Sequence, residues 1–168
     1  MTSLQRLETA WDVDRFIVLE QDKLVAVRFS KYDNKAATQR ASSSDVPSEE
    51  RAVIQSHVST LRCFDEELAY VAAKVRKYCT TYVVDTVQVP EFDALYALDD
   101  LDETFAVMFF YKGRHIEVDL GTGENNKINF FVTKEDLVPV VDDVYVTAAK
   151  GLIKCSTNKK FSHIGIKR

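Results

Sequence analysis

The sequence predicts an α/β fold with a mixed central sheet flanked by helices on both faces. Three observations carry that expectation. First, the apolar, β-branched runs Leu24–Phe29 and Thr81–Val84 bracket a long stripe at three- and four-residue steps: Ile54, His57, Val58, Leu61, Phe64, Leu68, Val71, Ala72, Val75 and Tyr78. That is a strand–helix–strand unit. Second, Phe105–Tyr111 and His115–Leu120 flank Lys112-Gly113, the pattern of an antiparallel hairpin. Third, Leu137, Val140, Val141, Val144, Tyr145 and Ala148 line one face of a closing helix. Such a unit joined to a hairpin makes a mixed sheet with helices on both sides.

Each element has a local reason. Leu4–Leu7 reads as a short edge strand. Asp12 is placed to cap a short helix whose pattern is Val13, Phe16, Ile17. Residues 31–50 turn polar, and Ser42-Ser43-Ser44-Asp45 favours a loop because these side chains compete for backbone hydrogen bonds. A mobile insertion is expected there. Pro47 and Ser48 followed by Glu49-Glu50 start the long helix, with acids at the positive end of its dipole. The helix is either continuous or broken near Ser59 and Thr60. Pro90 starts a short helix with Phe92, Leu95 and Tyr96 inward. Thr133-Lys134-Glu135-Asp136 resembles a capping box. Pro139 sits awkwardly in the closing helix, which is therefore expected to begin later than that box implies. Gly151 ends it. The order of elements is that of the thioredoxin-like fold.

A chain of 168 residues, 46% hydrophobic and 29% charged, suits one domain with a sizeable core. We place the domain at 1–150, with the polar insertion at about 31–50 and a helical extension to about 59, and a basic tail at 151–168. The polar first residues and the shortness of the longest apolar run, Phe105–Tyr111, predict neither a secretory leader nor a membrane span. Net charge is −4, so the chain as a whole is not a general polyanion binder. Its charge is segregated. Asp85 to Glu103 holds acids and no Lys or Arg, whereas Lys150 to Arg168 holds bases and no acid. Two kinds of partner are implied.

Catalytic chemistry is missing from the pattern. Dithiol exchange needs a low-pKa thiolate at a helix start and a resolving thiol three residues on. Cys63, Cys79 and Cys155 form no such pair, and Leu61 falls where the second thiol would sit. Catalytic thioredoxins also carry a proline before the third strand, where this chain has Thr104 and Ala106. Their buried acid on the first long strand is replaced by Arg28. His57, His115 and His163 have no ligand partners at metal spacing. Gly121-Thr122-Gly123 lacks the Gly-Lys-Ser/Thr end of a phosphate loop. No cofactor or metal is expected, and the balance moves from enzyme to binding module.

Several segments together carry a family resemblance: Trp11-Asp12-Val13-Asp14, Val25–Phe29, Tyr82–Asp85 with Val89–Phe92, Val107–Phe110, and above all Asp119-Leu120-Gly121-Thr122-Gly123-Glu124-Asn125-Asn126-Lys127-Ile128-Asn129. The chain resembles the Dim family, the thioredoxin-like small subunit of the spliceosomal U5 small nuclear ribonucleoprotein, over roughly Leu7 to Lys150. The resemblance implies a nuclear, non-enzymatic protein of pre-mRNA splicing. It implies a subunit of the U5 snRNP and the U4/U6·U5 tri-snRNP that holds the precatalytic spliceosome before activation. Implied partners are the large U5 scaffold protein, the tetratricopeptide-like bridging protein of the tri-snRNP, and snRNA or pre-mRNA within the particle; outside it a monomer is expected. The sequence departs from the family at about Lys35 to Ser59, an insertion, at Leu61 and Phe105, where the family has cysteines, and after Gly151. The alternative is a thioredoxin-fold adaptor or redox protein outside splicing.

Contact candidates lie in two segments. In the glycine-containing loop, Asp119, Gly121, Thr122, Gly123, Asn125, Asn126, Lys127 and Asn129 offer groups suited to RNA backbone or partner carbonyls. The same side chains equally suit tying up their own loop. In the tail, Lys154, Lys159, Lys160, Lys167 and Arg168 are interleaved with Phe161 and His163, a pattern that pairs phosphate and stacks bases, or simply solvates a terminus.

Overall fold

The structure is a computed structural model that describes residues 4–98, 103–158 and 160–161. Its strands are β1 (Gln5–Leu7), β2 (Leu24–Ser30), β3 (Cys79–Asp85), β4 (Ala106–Tyr111), β5 (Arg114–Asp119) and β6 (Lys154–Ser156). Its helices are α1 (Ala10–Leu19), α2 (Lys35–Ser42), α3 (Ser48–Lys74), α4 (Asp93–Tyr96, after a 3₁₀ turn at Pro90–Phe92) and α5 (Lys134–Ala149).

The six strands form one sheet in the order β1-β3-β2-β4-β5-β6. β3 runs parallel to both β1 and β2, β4 runs antiparallel to β2 and β5, and β6 runs parallel to β5. The mixed sheet expected from sequence is therefore observed. Alternation along β2 divides the core. Leu24 and Ala26 face α3 and α5, where they join Phe64, Leu68 and Val140. Val25, Val27 and Phe29 face α1 and α4, joining Val13, Ile17 and Phe92. Phe64 is fully buried and stacks on Phe105 at 3.9 Å between centroids. Truncating such a ring to alanine costs about 3–5 kcal/mol.

Several expectations are corrected. The segment at 31–50 is not a loop throughout, because α2 forms within it. Asn34 caps α2, its Oδ1 accepting from the Ala37 amide at 2.8 Å. Ala37 and Ala41 bury themselves, and Gln55 on α3 donates to the Ala41 carbonyl. Helix α3 runs unbroken through Ser59 and Thr60. Pro139 lies inside α5 rather than before it. The helix is anchored upstream by Leu137 donating to the Thr133 carbonyl, and Leu137, Val140 and Val141 are buried around the proline. No capping box forms at Thr133, whose side chain makes no cap bond; the Lys134 amide donates to Glu67 of α3 instead. Thr9, not Asp12, caps α1. Leu95 points to solvent at 69% exposure. Cys79 opens β3. The tail beyond residue 150 contributes β6, so the sheet does not end with a free basic segment.

Candidate partner-binding surface

Strand β5 delivers Asp119 to the mouth of the glycine-containing loop. The Asp119 carboxylate accepts from the Gly121 amide at 2.9 Å, turning the chain at once. Gly121 and Gly123 have φ of 81° and 90°, the left-handed region that side chains resist. Thr122 is buried and its hydroxyl accepts from the Glu124 amide; the Glu124 carboxylate accepts from the Asn126 amide at 2.9 Å. Val118 donates to the Asn125 carbonyl, and the His115 Nε2 lies 2.8 Å from the Asn126 carbonyl oxygen. The loop is thus held largely by its own groups.

Its last residues turn inward. Ile128 pairs with Val107 through backbone bonds in both directions at 2.9 Å. The Lys127 Nζ lies 3.1 Å from the Glu103 carboxylate and also donates to the Ala97 carbonyl. Asn129 donates to the other Glu103 oxygen at 2.9 Å. Lys127 and Asn129 therefore fasten the segment before β4 rather than reach outward. Asp119, Gly123, Asn125 and Asn126 remain exposed at the loop's surface.

The tail lies against this loop. Thr157 donates its amide to the Asp119 carbonyl, Lys160 Nζ donates to the same oxygen at 2.9 Å, and the Phe161 amide donates to Leu120. The Phe161 ring is buried, 5.2 Å from Phe130. It is packed rather than available for base stacking. Lys154 stands in solvent beside Glu117. Lys159, Lys167 and Arg168, like His163, lie outside the described residues. Sequence reasoning treated loop and tail as separate sites, but the structure makes them one surface. An isolated aromatic in a polar segment was the available signal for Phe161. Glu103 has no local signal, being 24 positions from Lys127.

Leu61, where the sequence pattern would seat the second thiol, is 4% exposed and lies well inside α3 rather than at its start. His57 lies one helical turn before it on α3. His57 stacks on Tyr32 at 4.4 Å and its Nδ1 is 2.7 Å from the Thr104 hydroxyl. The buried Arg28 guanidinium grips Asp65 through two bonds at 2.6 and 3.0 Å and reaches Asp33 at 3.0 Å, which Arg6 also pairs. Burial raises the Asp33 carboxyl, but the bonds and charges of Arg6 and Arg28 outweigh it and hold the group below its usual range. Burial of Asp65 prevails over the pull of Arg28 and lifts its carboxyl. Burial pushes the Cys79 thiol up to about 12, against bonds from Thr81 and Ala26. Cys155 is likewise raised by burial, and Cys63 is exposed on α3.

The chain has clear relatives. A sequence model of the family described as mitosis protein DIM1 matches residues 55–161. Spliceosomal protein DIB1 of Eremothecium gossypii is 35% identical over 153 residues, spanning 89% of this chain and 88% of that protein. Mitosis protein dim1 of Schizosaccharomyces pombe is 32% identical over 150 residues, spanning 88% and 86%. Among solved structures, a thioredoxin from Fasciola hepatica superposes with a TM-score of 0.53 at 14% identity, over 83% of this chain and 97% of that one. Chloroplastic thioredoxin z gives 0.55 at 11%, over 87% and 97%. These two establish the thioredoxin fold and nothing more.

Proposed function

The chain belongs to the family of mitosis protein DIM1, and on that premise we propose that it is a non-catalytic subunit of the splicing machinery. Its activity is occupancy: a rigid thioredoxin-fold body holds an RNA–protein arrangement in the U5 particle and the tri-snRNP until activation. It works in the nucleus, beside the large U5 scaffold protein and the tetratricopeptide-like bridging protein.

The observation that carries the reading is the filled redox position. Leu61, where the resolving thiol would fall, is buried and lies well inside α3, whereas dithiol exchange needs its thiols at a helix start. What the fold offers outward is a backbone-rigid loop with exposed Asn125 and Asn126, to which the tail is bonded. Rigid, pre-shaped groups of this kind suit recognition because little ordering entropy is lost on binding.

The experiment is to purify the tagged chain from its own cells at moderate salt and identify the RNA and protein recovered. Enrichment of U5, U4 and U6 RNAs with the large U5 scaffold protein is the expected result. Recovery of a thiol enzyme or chaperone without those RNAs overturns the splicing assignment. An insulin-reduction assay tests the non-catalytic part separately, and turnover that Cys63→Ser abolishes would defeat it.

A further inference from the structure

The strands that carry the core also gather bases at one end of the sheet. β3, β2, β4 and β5 are consecutive neighbours. β2 and β3 run parallel, and β4 runs antiparallel to β2 and β5. The residues just before β2 and β3, the residue after β4 and the first residue of β5 therefore lie at the same end. Those positions hold Lys23, Arg76 with Lys77, Lys112 and Arg114. Four adjacent strands, about 4.8 Å apart, each bring a cation to one edge. Lys23 Nζ donates to the Arg76 carbonyl at 3.0 Å, which ties two of them together. Lys74, in the last turn of α3, adds to the field. This end is opposite the glycine-containing loop, since Arg114 opens β5 and Asp119 closes it.

These bases are not neutralised by partners. Arg76, Lys77, Lys112 and Arg114 are exposed and Lys23 is half-buried. Among the described residues none of the five makes an ion pair, whereas Arg6, Arg28, Arg40, Lys127, Lys154 and Lys160 all do. Acids reach this end too, but in smaller number. Glu20 and Asp22 lie in the turn before Lys23, with the Glu20 carboxylate accepting from the Asp22 amide. Asp142 of α5 accepts the Tyr78 hydroxyl, and its neighbour Asp143 accepts from the Asn158 amide of the tail.

Tyrosines line the same end. Tyr78 and Tyr145 are 5.1 Å apart, Tyr145 and Tyr111 are 6.2 Å apart at 83°, and Lys112 Nζ lies 5.6 Å from the Tyr111 centroid. All three are half-buried, so part of each ring meets solvent. Cations alone attract any polyanion. Evenly spaced cations beside open aromatic rings fit a strand that repeats a phosphate at every residue and carries bases able to stack. An acidic peptide offers the rings no such base.

We propose that this end of the sheet binds single-stranded nucleic acid, the row from Arg76 to Arg114 meeting its phosphates and the Tyr78–Tyr145–Tyr111 cluster its bases. The surface is separate from the loop and tail. It stands without the splicing assignment, because backbone charge and stacking, and not a particle, recognise the strand.

The test uses the purified full chain and a fluorescein-labelled oligo(U) of about 12 nucleotides, followed by anisotropy between about 50 and 200 mM salt. Lys112→Gln with Arg114→Gln, both on the exposed hairpin turn, should weaken binding at least about tenfold and flatten the salt slope by about 1.4, at ~0.7 per phosphate. Lys35→Gln with Arg62→Gln removes the same charge from α2 and the first half of α3, and should weaken it less than about twofold. Absence of binding, equal losses in the two variants, or equal competition by polyglutamate of the same charge overturns the proposal. Oligonucleotides carrying 4-thiouridine must then crosslink to Tyr78, Tyr111 or Tyr145 of the unaltered chain. Crosslinks confined to residues 119–161, or none, overturn it equally. Both results are required.

Discussion

Lys127 and Glu103 form an ion pair with both side chains largely withdrawn from water, at 4% and 15% exposure. Removing one partner of such a pair strands the other charge. Lys127→Met should therefore lower stability by about 3 kcal/mol, read by urea denaturation, although the residue sits in the loop that most suggests partner contact. The double variant Lys127→Met with Glu103→Leu should recover much of that loss. A single variant of unchanged stability that loses particle binding would show that Lys127 acts outward after all.

Three thiols of different burial give a direct assay. In the native state a disulfide reagent should titrate Cys63 quickly, and Cys79 and Cys155 only on unfolding. The unfolded Cys79 thiol ionises near ~8.5 while the folded one holds its proton to about 12. The unfolded state is then favoured as pH rises above about 9, with this group contributing up to ~1.4 kcal/mol per pH unit. Cys79→Ala should remove that share of the alkaline slope.

At the acid end the sign reverses. Asp33 is held below its usual range by Arg6 and Arg28 despite burial. Its contribution is present above the unfolded carboxyl pKa, about 3.9, and is lost as pH falls through the lower folded value. Asp65, raised by burial, acts in the opposite direction. Asp33→Asn should lower Tm at neutral pH, since Arg28 keeps only one counter-ion, and should flatten the fall in Tm below about pH 4. An acid limb identical to wild type would place the titrating group elsewhere.

Phe161 and the tail lysines are separable. Phe161→Ala should cost about 3 kcal/mol and speed amide exchange at residues 120–126, because the ring packs on Phe130 and its amide bonds Leu120. Lys154→Ala, fully on the surface, should leave stability within about 0.5 kcal/mol. If the tail contacts RNA, that variant should also reduce the salt slope of particle binding by about one. Deleting the whole tail cannot make this distinction, since it removes β6 as well.

Legibility tracked how local each cause was. The apolar, β-branched run Leu24–Phe29 and the Lys112-Gly113 turn encode β2 and the hairpin within a few residues, and both stand as expected. Helix α2 was hidden because its buried side chains are only Ala37 and Ala41, too small to make a stripe among polar neighbours. Pro139 argued for a later start to α5 than the one that burial on both sides of it maintains. In the candidate site, the self-bonding of Asp119 follows from its residue type, whereas that of Glu124 falls on a side chain the sequence pattern does not single out. The inward turn of Lys127 was not legible either, since its acceptors Ala97 and Glu103 come from a distant segment. That Trp11 is exposed was not legible in its family motif, because exposure depends on which side of α1 the core takes.

The bonds on the Asp119 carbonyl come from Thr157 and Lys160, the latter 41 positions further along the chain. In time, this makes the loop a late arrival. A ribosome presents Asp119 well before it presents the donors that fasten it, and α5 and β6 must dock in between. A chain that stops short of Thr157 carries the loop's sequence without the bonds that fasten it, so the loop's shape reports that synthesis has passed β6.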